Sequence, residues 1–201
     1  HRDLHSFPTR RSSDLDYIDK HFKQQDNVCA LASYGTVLHY FSEGEISVDN
    51  LLLRYSRRFK IKPTASTGSN LKALQKSICE HFHGYCNPKQ MRGFEYIKQL
   101  HEQDEIKTKE YCQIVAAKAS LESISQADID LIRRELENSD SLAIILYKVN
   151  ETLYHAVTIG YDSVTGKYFF KDPERNSITI EDLLNNNLIT EYILFRANGE
   201  L

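Results

Sequence analysis

The apolar residues of this chain change their spacing at Ser141, and that change limits the folds open to it. Up to that point they recur at steps of three and four, as one face of a helix requires. Leu31, Tyr34, Leu38 and Phe41 form such a set in CALASYGTVLHYF, with Asp26 and Asn27 ahead of it as capping residues. A second helix is expected over Val48–Arg58 with Ser47 as its cap. A third follows Gly68-Ser69-Asn70 and buries Leu71, Leu74, Ile78 and Phe82. Ser125-x-x-Asp128 has the form of a capping box, and the helix it opens buries Ile129, Ile132 and Leu136. From Ser141 the pattern turns to apolar runs and alternation. SLAIILYKV, YHAVTIGYDS and KYFFKD read as three strands, the last two joined by the turn Ser163-Val164-Thr165-Gly166. A short strand at Ile178–Ile180, a helix at Glu181–Asn186 and a final strand EYILFR complete the reading. Helices followed by a strand meander, with no βαβ alternation, predict an α+β fold: a helical half packed on an antiparallel sheet.

The stretch from Gly84 to Ser123 has weaker periodicity. One helix near Phe94–Leu100 and one strand near Ile114–Ala117 are expected there. The chain of 201 residues is long enough for one domain with a substantial core. A formal net charge of −3 gives none of the basic excess of a nucleic-acid binder. The densest basic stretch, Arg54, Arg57, Arg58, Lys60 and Lys62, reads as the solvated side of a helix and the turn after it. The longest apolar run, Leu142–Tyr147, is of strand length, so no transmembrane segment is expected. The four cysteines stand at 29, 79, 86 and 112. If one stays a free thiol, the other three cannot all pair within the chain, which favours a reducing, cytoplasmic setting over secretion.

Residues His1–Leu15, HRDLHSFPTRRSSDL, show no apolar periodicity and resemble the translated read-through of a sequencing adapter. They are set aside as a tail, leaving residues 16–201 as a single domain with a native start expected near Asp16.

Three residues in the periodic part carry chemistry. Cys29 opens the first helix, and a helix N-terminus has roughly half a positive charge that favours a thiolate. His155 stands at the start of a strand whose alternation places it with Val157 and Ile159 on one face. Asp172, in Lys171-Asp172-Pro173, ends the next strand. A hairpin brings the start of one strand beside the end of the other, so His155 and Asp172 are expected to meet there as an imidazole and its orienting carboxylate. Taken singly, each has a plainer reading: a core thiol, a satisfied core histidine and a turn aspartate. Cys79, His81, His83 and Cys86 are zinc-ligand types, but their even spacings do not share a helix face. They are read as a helix end stopped by Gly84, and neither a metal nor another cofactor is expected.

The segments QQDNVCALASYGTVLHYF, GSNLKALQKSI and YHAVTIGYD…YFFKDP together resemble the papain-like cysteine peptidases. The likeness is greatest to the bacteriocin-processing, double-glycine leader peptidases and their relatives, and it covers most of the chain from Gln24 to Arg196. The stretch from Gly84 to about Ser123 has the look of an insertion within it. The resemblance implies a papain-like fold and a thiol-dependent peptidase acting on a peptide or protein. Cys29 would be its nucleophile, His155 its base and Asp172 the orienting group. It also implies a glutamine as oxyanion donor. The family's glutamine usually lies six residues before the cysteine, where this chain has Lys23; Gln24, five before, takes the role, with Gln25 as the neighbouring alternative. The family's glycine after the nucleophile is Ala30 here. The same triad serves acyl-transferring enzymes such as phytochelatin synthase and the secreted papain-like effector proteases of bacterial pathogens. A non-catalytic peptide-binding module is the remaining alternative. The sequence does not specify an oligomeric state.

Overall fold

The computed structural model describes residues 29–62, 74, 77, 78, 80, 81, 93–120, 122–150, 154–171 and 179–199. Five strands form one antiparallel sheet. They are β1 (Cys112–Ala119), β2 (Ser141–Lys148), β3 (Tyr154–Asp162), β4 (Lys167–Lys171) and β5 (Ile189–Ala197), in the order β1-β5-β2-β3-β4. Helices α1 (Cys29–Phe41), α2 (Val48–Phe59) and α3 (Gly93–Glu102) form a core with one face of the sheet. Helices α4 (Gln126–Asn138) and α5 (Ile180–Asn185) close the other face. The architecture is α+β, with the helices concentrated ahead of the meander as the change of period requires. No helix among the described residues is long and apolar enough to cross a membrane.

Alternation along β2, β3 and β5 sorts side chains between two cores. Leu142, Ile144, Ala156, Ile193 and Phe195 face α1–α3. Ala143, Ile145, Tyr147, Val157, Ile159, Tyr192 and Leu194 face α4 and α5. Because β2, β3 and β5 carry apolar residues on both faces, they lie in the middle of the sheet, and the more polar β1 and the short β4 take its edges.

Local chemistry sets the helix boundaries. Ser47 caps α2 through the Asn50 N–H, and Lys60 ends it in the left-handed conformation. Ser125 and Asp128 complete a capping box at α4, whose Ile129, Ile132 and Leu136 are buried. The residues described between 74 and 81 are helical, with Leu74 and Ile78 buried. The expected short strand at Ile178–Ile180 is not formed as read. Thr179 is instead the N-cap of α5, in a capping box with Asp182, and Ile180 is the first helical residue; Ile178 lies outside the described residues. Two paired cap bonds outweigh the strand preference of an isolated Ile-Thr-Ile run.

The helix expected near Phe94–Leu100 and the strand expected near Ile114–Ala117 form as α3 and β1, and both belong to the framework. β1 pairs with β5 from Cys112↔Ala197 to Ala119↔Glu191, and α3 buries Phe94, Tyr96, Ile97 and Leu100. Of the basic stretch, Arg57, Lys60 and Lys62 are exposed. Arg58 pairs with Glu105, and Arg54 bonds the side chain of Asn50 and the Lys107 carbonyl.

Candidate active site

Helix α1 lies over β2 and β3, and two contacts fix its direction. The Thr158 hydroxyl donates to the Ser33 carbonyl at 3.0 Å. Near the other end of the helix the Tyr40 hydroxyl donates to Asp140 at 2.8 Å. Asp140 immediately precedes β2, whose first residues pair with the far end of β3, as in Ala143↔Ile159. The helix therefore runs parallel to β3, from its beginning toward its end. Four residues back from Ser33, at about 1.5 Å each, is about 6 Å, a little under two residues of strand. The first turn of α1, at Cys29, is thus level with Ala156 and next to His155 in sequence height.

His155 is almost fully buried, at 2% exposure. It pairs directly with Tyr147, and the two rings meet edge to face with centroids 5.7 Å apart. It shares its face with Val157 and Ile159, as the alternation predicts, and that face is the one covered by α4 and α5. The Cys29 backbone and His155 come to the same end of the sheet from opposite sides of it. His155 is the second residue of β3.

β4 runs antiparallel to β3 and is described as far as Lys171, which pairs with Thr158. The end of β4 therefore returns toward the His155 end of the sheet. Asp172 and Gln24 lie outside the described residues, as does the side chain of Cys29. Cys79, His83 and Cys86 of the zinc-type cluster also lie outside them. The remaining member, His81, has its Nδ1 3.1 Å from the Tyr55 hydroxyl.

Among the described cysteines Cys112 is a free, buried thiol, and burial pushes its pKa up to about 12. A thiol so desolvated stays protonated and unreactive at neutral pH.

A buried polar chain, not anticipated from sequence, joins α1 to the segment before β1. The His101 Nε2 is 3.0 Å from the Cys112 carbonyl, which only accepts, so Nε2 carries the proton. Nδ1 is then an acceptor and takes the Tyr34 hydroxyl at 2.7 Å; Tyr34 in turn accepts from the Thr108 hydroxyl at 2.8 Å. Burial lowers the His101 pKa and raises that of Tyr34, so both remain neutral. A histidine in a helical last turn with a threonine seven residues on carries no distinguishing signal; only the fold brings them to Tyr34.

No family model and no curated protein matches this chain.

Proposed function

We propose that this chain is a papain-like cysteine peptidase domain, with Cys29 as nucleophile, His155 as base, Asp172 as the group that orients the imidazole and Gln24 as oxyanion donor. The observation that supports the reading best is the register of α1 on the sheet. Ser33 on Thr158 and Tyr40 on Asp140 bring the start of the Cys29 helix to the end of the sheet where β3 begins and where His155, on the opposite face, is the second residue. Cys29 and His155 are separated by more than a hundred residues, and nothing local obliges them to share that end. The antiparallel pairing of β4 with β3 supports Asp172 in its role, since Asp172 follows Lys171 in the chain.

The chemistry follows from the groups. The imidazole takes the proton of the Cys29 thiol, and the thiolate attacks the carbonyl carbon of the peptide bond. Negative charge then develops on the carbonyl oxygen, where the Gln24 amide and a backbone N–H would donate. The C–N bond breaks as the imidazolium gives its proton to the leaving amine, and a thioester remains on Cys29. Water, deprotonated by the imidazole, attacks the thioester and releases the acid and the thiol. A helix N-terminus and a histidinium partner both favour the thiolate.

Alkylation of the folded chain with iodoacetamide at pH 6, mapped by mass spectrometry, tests the assignment. Cys29 is expected to react rapidly, and His155→Ala to slow it at least about tenfold while abolishing cleavage of a peptide library. Cys112, held at a pKa of about 12, serves as the internal unreactive control. A Cys29 that reacts at the rate of an ordinary thiol in both proteins would refute the reading.

A further inference from the structure

Lys148 and Tyr154 are paired opposite each other in the last rung of the β2–β3 ladder. Residues two apart on a strand share a face. Leu146 and Ala156, two residues further in, pack in the core beneath α1–α3, so Lys148 and Tyr154 lie on the face of the sheet that α1 covers. α1 lies over these same two strands. Its first turn is level with Ala156, and Tyr154 is two residues nearer the end of the sheet. At about 3.3 Å per residue, that places the rung about 7 Å beyond the head of the helix, on the same side.

The rung is open to solvent. Tyr154 is 42% exposed, and Lys148 is exposed beside it. Among the described residues the large exposed hydrophobics are Leu53, Val149, Tyr154 and Val164, and two of these four adjoin Lys148: Val149 follows it in the chain and Tyr154 faces it across the ladder. Among the described residues the Tyr154 hydroxyl has no hydrogen bond, its ring no aromatic partner, and the Lys148 ammonium no counter-ion. Other cations of the fold are paired, as Lys118 is with Asp128 and Arg58 with Glu105. An aromatic ring next to an unneutralised ammonium suits an apolar side chain with a carboxylate beside it.

We propose that Lys148 and Tyr154 are specificity-determining residues of the candidate site, and that its substrate is a peptide with an acidic residue next to an apolar one. The inference rests on the peptidase reading, which brings a peptide to this end of the sheet, where the Cys29 helix begins and His155 stands next to Tyr154 in β3. The ring of Tyr154 packs on the apolar side chain, and Lys148 pairs with the carboxylate. The chain as a whole carries a formal net charge of −3, so its overall field favours basic peptides; a preference for acidic ones has to come from a local cation.

The test is the binding of dansyl-labelled peptides to the full chain carrying Cys29→Ala, so that none is consumed. The peptides share one sequence and differ only in having Glu, Gln or Lys beside a Phe. The Glu peptide is expected to bind about tenfold tighter than the Lys peptide at low salt, with the gap closing at high salt. Adding Lys148→Glu is expected to reverse that order, and adding Tyr154→Ala to weaken all three peptides by about tenfold. Both residues are exposed, so both variants should fold as the parent does. Equal binding of the three peptides, or an order that survives Lys148→Glu, overturns the proposal; undiminished binding by Tyr154→Ala removes the role of the ring. These outcomes are separate from the iodoacetamide result. A Cys29 that reacts rapidly in a chain without the acidic preference leaves the peptidase reading and removes this surface. The preference, reversed by Lys148→Glu, in a chain whose Cys29 reacts as an ordinary thiol leaves the surface and removes the peptidase reading.

Discussion

Asp128→Asn should destabilise this protein in a way that disappears as the solution is acidified. Asp128 ties three elements together. Its Oδ2 accepts from Lys118 Nζ on β1 at 2.7 Å and from the Ser125 N–H at the head of α4 at 3.0 Å. Its Oδ1 accepts from the Tyr192 hydroxyl on β5 at 3.3 Å. Burial alone would raise its pKa. The Lys118 and Ser125 bonds outweigh that, and it falls from 3.8 to about 2. At about 1.4 kcal/mol per pKa unit, this depression corresponds to roughly 2 kcal/mol of stability at neutral pH. Lys118 is half exposed, and solvent screening reduces the figure to about 1–2 kcal/mol. The unfolded chain binds this proton more tightly than the folded one, so the contribution is complete above about pH 5 and is lost as pH falls toward 2. Urea unfolding of wild type and Asp128→Asn at pH 7, 5 and 3 provides the assay. The wild type should lead by about 1–2 kcal/mol at pH 7 and 5, and about half of that lead should be gone at pH 3. An equal gap at pH 7 and pH 3, or an asparagine variant as stable as wild type at pH 7, would show that the charge of Asp128 does not hold these elements.

Two further substitutions probe the packing around α1 and the sheet. A Cβ on Gly160 would lie 2.5 Å from Phe169 Cζ and 2.6 Å from Leu142 Cδ2, so Gly160→Ala forces both side chains to shift. The expected loss is about 1–3 kcal/mol, read as a fall in Tm, and an unchanged Tm would mean that β3, β4 and β2 do not pack this closely. Tyr34→Phe removes the hydroxyl that the His101 Nδ1 and the Thr108 hydroxyl share and leaves them only the long 3.5 Å contact with each other, among fully buried residues. It should cost about 1–3 kcal/mol in chemical denaturation, and a neutral result would mean that the His101 chain is not formed.

Most of the secondary structure was legible because its causes are local. The three- and four-residue spacing of Leu31, Tyr34, Leu38 and Phe41 marks α1, and all four are buried. Ser47 and Ser125 announce α2 and α4 by side chains that bond their own helices. At Ile178–Ile180 two local signals compete: a β-branched run favours strand, but Thr179-x-x-Asp182 caps α5 and prevails. β1 was harder. Edge strands bury less, so CQIVAAKA shows little alternation, and only its pairing with β5 reveals it as part of the sheet.

The sequence by itself determined the class of the fold and where the candidate residues stand in it: helices before a meander, a cysteine at a helix head and a histidine at a strand start. Periodicity and capping depend on neighbours within about four residues, and those are present in any chain with this order of side chains. The tertiary structure alone decided which of these residues share an end of the sheet. The order β1-β5-β2-β3-β4 puts β2 and β3 side by side, and the Ser33–Thr158 bond sets the height of α1 above them. His101 meets Tyr34 across 67 positions of chain by the same means. Such contacts form only after long loops close, and their positions follow from how two apolar faces of fixed pattern fit together, which no local run of sequence contains.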